Sequence, residues 1–279
     1  MPPASLPTTE TTVDGNRTTR WVLDVKEFPL LASSRIARLG IDRTTSPYER
    51  VRLRPAGSFI LAGIEGEGRI LLEGRWTAIK AGEVIMAPPR VLNAFFTPKG
   101  GSWTFAWMRY EESPEMKPLV GSVSPLRVTA GAEQLSRIIS GLCDEWTGAR
   151  EAAMIHHWVS LADAHARRLA RPWRGDEKLW RLWEEVAADL SHPWTLDQLA
   201  QRVHMSAEHL RRNCRREIGR SPMEHLAYIR MQRAQELLET TDDKLEVVAA
   251  LVGYSSGLVF SRAFARCVGL SPSEYRLRR

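Results

Sequence analysis

The chain has 279 residues, 43% of them hydrophobic and 26% charged, a balance ordinary for a globular protein with room for two separate cores. No run reaches the ~18 uninterrupted apolar residues of a membrane span, and three scattered cysteines exclude a disulfide scaffold and point to a reducing, cytoplasmic setting. The formal charge of +6 suggests a polyanionic partner, but from Asp176 onward there are 16 Lys and Arg against 15 Asp and Glu, so only local clustering can carry a nucleic-acid argument.

Residues 1–20 are rich in Pro and Thr and lack an apolar stretch, so they read as a disordered tail and not as a signal peptide. Over residues 21–111 short apolar or alternating runs (59–62, 69–72, 84–87 and 103–110) are separated by turn signals at Gly66-Glu67-Gly68, Gly74-Arg75, Ala81-Gly82 and Lys99-Gly100-Gly101, the pattern of an all-β barrel or sandwich. Gly68 and Gly74, followed by Ile79-Lys80-Ala81-Gly82-Glu83-Val84-Ile85-Met86-Ala87-Pro88-Pro89, resemble a cupin-like domain over residues 20–112. Cupin enzymes hold metal with histidines, because imidazole suits borderline transition metals. All seven histidines (156, 157, 165, 192, 204, 209 and 225) lie outside that region, and Pro88-Pro89 is followed by Arg90-Val91-Leu92-Asn93. No metal site or cofactor is therefore expected, nor is there a nucleophile motif, a Walker signature or a dinucleotide glycine signature, so the chain reads as a non-enzyme.

On the strand at 103–110, alternation sets Trp103, Phe105, Trp107 and Arg109 on one face. If that face lines the barrel mouth it can stack on a flat or sugar-like small-molecule effector, with an arginine for an anionic group; core packing is the alternative. Arg69 and Asn93 are further pocket candidates.

Two periodic helices follow, with stripes at Leu135, Ile138, Ile139, Leu142 and Trp146, and at Ile155, Trp158, Val159, Ala162, Ala166 and Leu169. They either pack on each other and the barrel or also form the two-fold seam of a homodimer. His156 and His157 are adjacent on a helix, about 100° apart, and so are poor joint metal ligands. The segment 171–176, with Arg171-Pro172-Trp173-Arg174-Gly175, reads as a linker.

The stretch 194–275 states one pattern twice. Leu196, Leu199, Ala200 and Val203 return as Leu245, Val248, Ala249 and Val252, each set on one helix face. Each set is trailed by a second helix with a stripe stepping by four, first Leu210, Cys214 and Ile218, then Phe260, Phe264 and Val268. Both copies end at a glycine before a capping box, Ser221-Pro222-Met223-Glu224 and Ser271-Pro272-Ser273-Glu274. Two helix-turn-helix units result, each with a second helix able to enter a major groove. Outward positions of the first such helix read Glu208, Arg211, Arg212, Arg215 and Arg216, either a solvated face with Glu208 pairing Arg212 or a DNA-reading face. The duplication and paired caps favour double-stranded DNA.

The runs Met205–Arg212, Gly219-Arg220-Ser221-Pro222, Arg230–Leu238, Val252-Gly253-Tyr254-Ser255, Phe260–Phe264 and Gly269–Arg276 resemble the AraC family of bacterial transcription regulators, over roughly the last hundred residues. The resemblance implies that a long helix at 222–240 joins both units, and that bases are read by Glu208, Arg211 and Arg212 in the first helix and Gly257, Leu258, Ser261 and Arg262 in the second. Phosphate contacts are assigned to Arg215, Arg216 and Arg266. Gly257 and Leu258 depart from a polar reader and leave that half to thymine-methyl contact, DNA shape and Arg262. The resemblance also implies an effector domain ahead of the DNA-binding part, and RNA polymerase as a partner. The expected fold class is α+β multidomain: a disordered tail (1–20), a cupin-like β-barrel with a helical dimerisation segment (21–170), a linker (171–176) and an all-α double helix-turn-helix domain (177–279). The alternatives are a cupin-type enzyme with a DNA-binding appendage, and a regulator acting through protein interaction only.

Overall fold

The computed structural model describes residues 7, 9–72, 75–113, 116, 118–121, 124, 125, 127–129, 131–170 and 177–277. The chain divides into two units, Met1–Arg171 and Pro172–Arg279. The expected linker at 171–176 lies outside the described residues, as does the tail at 1–6 and 8.

The first unit is a curled antiparallel sheet of ten strands: β1 (Thr11–Val13), β2 (Thr19–Asp24), β3 (Ile36–Thr45), β4 (Glu49–Arg52), β5 (Phe59–Leu72), β6 (Arg75–Lys80), β7 (Val84–Ala87), β8 (Asn93–Phe96), β9 (Ser102–Tyr110) and β10 (Arg127–Val128). The path runs β1-β4-β8-β5-β9-β3-β2, with β6 and β7 also on β5 and β10 on β7. The long β5 makes the curl. Its first half pairs with β7 and β9, and its second half, past a register shift between Gly63 and Glu65, pairs with β6 and β8. Among the described residues β1 and β2 are not paired with each other, so the expected barrel is a half-barrel with two edges.

Part of the expected tail is ordered. Thr11, Thr12 and Val13 pair with Val51, Arg50 and Glu49, because a short β-branched run can add to the free edge of β4. Asp14 then fastens the segment, accepting from Arg50 at 2.5 Å and Arg20 at 3.1 Å.

Alternation along β9 feeds two cores. Ala106, Met108 and Tyr110 face a cluster shared with the helices α1 (Ala132–Thr147) and α2 (Ala152–Ala170), whereas Trp103, Phe105 and Trp107 face a mainly aromatic cluster with Tyr48, Phe59 and Phe95. Trp103 stacks over Gly68, where a Cβ would stand 2.3 Å from its ring, and that is why β5 carries glycine there. The apolar stripes of α1 and α2 (Leu135, Ile138, Ile139, Leu142; Ile155, Val159, Ala162, Ala166, Leu169) are all buried inside this unit, with Trp146 and Trp158 packed partly buried against the same cluster. Intramolecular packing therefore consumes the stripes that sequence periodicity offered as a dimer seam. His156 and His157 are exposed.

The second unit is all helical: α3 (Glu177–Ala188), α4 (Leu196–Arg202), α5 (Ala207–Glu217), α6 (Pro222–Thr240), α7 (Leu245–Leu251), α8 (Gly257–Val268) and α9 (Pro272–Arg276). Both expected capping boxes form, and a third joins Thr195 with Gln198 ahead of α4. Ser206 and Ser256 cap α5 and α8. The helix α6 is buried along Leu226, Ile229, Ala234, Leu237 and Leu238, and it touches α4, α5, α7, α8 and α9. No described helix is long and apolar enough to cross a membrane.

His225 on α6 is fully buried, edge-on to Trp183 at 4.5 Å, with Nδ1 3.5 Å from the Arg220 guanidinium. Burial, and then the Arg220 charge, hold its imidazole well below the ordinary histidine value, so it folds neutral. The unfolded chain then takes up a proton that the folded one refuses. Stability is fully present above the unfolded value of about 6.5 and falls as pH drops below it, by at most about 1.4 kcal/mol per pH unit for one proton. Thermal melts of the full chain between pH 7.5 and 5 should show this decline, with a shallower slope in His225→Gln; an identical slope in the variant would assign the acid lability elsewhere.

Candidate nucleic-acid interface and the barrel pocket

The two helix-turn-helix units repeat in three dimensions. Each first helix, α4 or α7, ends at a valine, Val203 or Val252, and the next residue turns the chain through the left-handed region, His204 at φ 55° and Gly253 at φ 78°. A serine then caps the second helix, but the interval is one residue longer in the second copy, Ser256 against Ser206. Beyond the turn the copies align at an offset of 50, so Glu208, Arg211, Arg212 and Arg216 correspond to Leu258, Ser261, Arg262 and Arg266.

The faces opposite the buried stripes are exposed as the four-residue step requires. Leu210 and Cys214 are fully buried, while Glu208, Arg211, Arg212, Arg215 and Arg216 are exposed. Glu208 lies 3.4 Å from Arg211 and not against Arg212, which leaves Arg212 with no ion pair among the described residues. Arg216 differs from the other expected phosphate ligands: its Nε donates to Glu217 at 2.6 Å. On α8, Leu258, Arg262 and Arg266 are exposed and Ser261 is half-buried. Gly257 is a correction. It is buried at the start of α8, where a Cβ would meet the Glu246 carboxylate at 3.1 Å, so it has no surface with which to read a base. Its counterpart is Ala207; the apolar surface of this helix is instead Leu258 with Val259, 63% and 48% exposed.

One side chain fixes the two units against each other. Arg230, on α6, donates through Nη2 to the carbonyls of Leu190 at 3.1 Å and His192 at 2.8 Å, in the loop before the first unit. The same guanidinium lies against Gly253, the turn of the second unit, where a Cβ would come within 2.4 Å of Nη2 and 2.2 Å of the Leu190 carbonyl. Sequence reasoning attached Arg230 and Gly253 to separate motifs, and nothing in their spacing announces that they meet.

In the first unit the expected effector residues part company. Phe105 and Trp107 line a cavity of about 110 Å³ at the open side of the sheet, between β2, β3, β4, β5, β8 and β9. Trp103 is packed into the aromatic core, Asn93 is buried outside the cavity with Oδ1 unpartnered among the described residues, and Arg69 pairs with Glu67 at the surface. Arg109 faces a second, more open cavity of about 460 Å³. Asp42 forms the polar floor of the first, accepting from Trp107 Nε1 at 2.7 Å, Tyr48 at 2.8 Å and Arg20 at 2.9 Å. Sequence reasoning missed Asp42, Tyr48 and Arg52, which converge only through the curl of the sheet, since β3 and β4 are not paired with each other among the described residues.

The family described as a helix-turn-helix domain matches residues 199–278. The MmsAB operon regulatory protein of Pseudomonas aeruginosa is 26% identical over 254 residues, 86% of this chain and 81% of that protein. The HTH-type transcriptional regulator MtrA of Neisseria gonorrhoeae is 31% identical over 41% of this chain and 38% of its own length, and the next two relatives are likewise spanned for only 29% and 31% of theirs. Among solved structures, the C-terminal domain of the response regulator AraT from Geobacillus stearothermophilus is 33% identical, covers 38% of this chain and 88% of its own, and has a TM-score of 0.37. With its duplicated, capped units, the region 199–278 is a helix-turn-helix domain similar to those of bacterial transcriptional regulators.

Proposed function

We propose that α5 and α8 read successive major-groove segments of one bipartite DNA site, and that a small molecule held in the first unit governs this binding. The observation that carries the reading is the pairing of two capped helices with arginine-bearing outer faces on one buried helix, α6. Arg212, exposed and without an ion pair among the described residues, is the base reader, because a planar guanidinium can donate twice to guanine O6 and N7. Arg211 and Glu208 sit beside it, while Arg215 and Arg266 hold phosphates and Arg216 does so only by leaving Glu217. On α8, Arg262 and Ser261 supply the polar contacts and Leu258 the apolar one, which suits a thymine methyl group. The protein works as a homodimer through the outer side of α2, where Met154 and Leu161 are exposed, and contact with RNA polymerase is what the family resemblance implies.

Binding-site selection with the full chain should return a strongly specified guanine in one half-site and a looser, shape-dominated half about 10 bp away. Arg212→Ala should cost about 1–3 kcal/mol and relax preference at one base pair, whereas Arg215→Ala should weaken all sequences alike and shallow the salt dependence by about one charge. Equal information in both halves, or unchanged specificity in Arg212→Ala, would reassign the reading residues.

Arg230→Ala addresses the joint. It should lower affinity for the full site and make binding more tolerant of one inserted or deleted base pair between the halves, in a gel-shift series. A variant with wild-type spacing preference would show that α6 alone sets the geometry.

A further inference from the structure

The cavity at the open side of the half-barrel carries a charge imbalance confined to one residue. Four arginines line it, and three have a carboxylate of their own: Arg20 with Asp42 at 2.8 Å, Arg38 with Asp24 at 3.3 Å, and Arg50 with Asp14 at 2.5 Å. Arg52 has no ion pair among the described residues, and its Nη1 is buried without a hydrogen-bond partner. Its guanidinium instead lies 5.8 Å from the ring centres of both Phe59 and Phe95. Burial, and then the neighbouring Arg109 charge, push this group down to about 10, so it remains a cation at neutral pH. A buried cation lacking a partner destabilises a fold, and it persists most readily where a ligand completes it.

We propose that the effector of this protein is a small monoanionic carboxylic acid, its carboxylate paired with Arg52 and its apolar body held among Phe59, Phe95 and Phe105. One unmatched positive charge calls for one negative charge, and a guanidinium presents two parallel N–H donors to a carboxylate. The volume sets the size. An apolar cavity of about 150 Å³ takes benzene, so about 110 Å³ admits a short aliphatic acid or, with slight opening at Arg52, a single-ring acid. A neutral sugar, the ligand the tryptophan face first suggests, would leave Arg52 uncompensated.

This inference rests on reading the first unit as the effector site, and its test separates the two. The full chain is titrated by calorimetry and thermal shift with butyrate and benzoate, their uncharged isosteres butyramide and benzamide, glucose and inorganic phosphate. At least one acid should bind and raise the melting temperature, with its amide at least tenfold weaker. Arg52→Gln should lose acid binding at least tenfold while melting no lower than the wild type without ligand, because the change removes a half-buried cation that has no ion pair among the described residues. Arg52→Lys, which keeps the charge but not the fork, should fall between. Amides binding as well as acids, acid binding that survives in Arg52→Gln, binding of glucose or phosphate alone, or no binding by any probe would each overturn the proposal. Operator affinity is then measured with and without the acid: a change, matched by an equal change in acid affinity with and without operator, makes the acid the effector. Acid binding that depends on Arg52 but leaves operator affinity unchanged would overturn the effector role and leave an anion site in the half-barrel.

Discussion

The DNA-binding unit depends on a close approach that only glycine permits. Gly253 leaves open the space filled by the Leu190 carbonyl and the Arg230 guanidinium, so the turn of the second helix-turn-helix, the loop before the first and the helix between them meet at one point. Burial depresses the proton affinity of Arg230, and its two carbonyl bonds both come from Nη2. With both ends of the unit fixed on α6, α5 and α8 are held relative to one another, and preorganisation of this kind lowers the cost of any binding that engages both.

The two recognition helices inherit the same backbone but not the same surface. An identical step of four buries Leu210 and Cys214 in one and Phe260 and Phe264 in the other, so the positions left outside are set by geometry, and their chemistry is free to diverge. In α5 they became charged; in α8 the first of them became leucine. The larger aromatic stripe of α8 packs with Tyr254 and Tyr275 into a cluster with α6 and α7.

The parts of this molecule legible in its sequence are those fixed by local periodicity and capping. Helical stripes, the duplicated serine boxes and the alternation of β9 all follow from contacts within a few residues, and each has its counterpart in the structure. What the sequence misread or left open has another cause, since it concerns what a surface packs against. Residues 11–13 look too polar to order, yet β4 offers an edge to pair with, and Arg50 of β4 and Arg20 of β2 hold Asp14. The stripes of α1 and α2 are those of helices that bury one face, but periodicity does not say whether the cover is a second chain or, as here, the sheet of the same one. Gly257 sits at a reading position by count and is covered by Glu246 from the neighbouring helix.

The strand β9 links the interior of the half-barrel to α2. Trp107, on one face, donates to Asp42 in the cavity, and three residues later Tyr110, on the other face, donates at 3.1 Å to Asp163 of α2, which also accepts from Arg167 at 2.8 Å. Burial, and then the Asp163 charge, hold the Tyr110 phenol well above its ordinary value, so this bond keeps its proton throughout the physiological range. The strand β9 is held on both sides by β3 and β5. The Tyr110–Asp163 bond therefore ties β9, and with it the wall of the cavity, to α2.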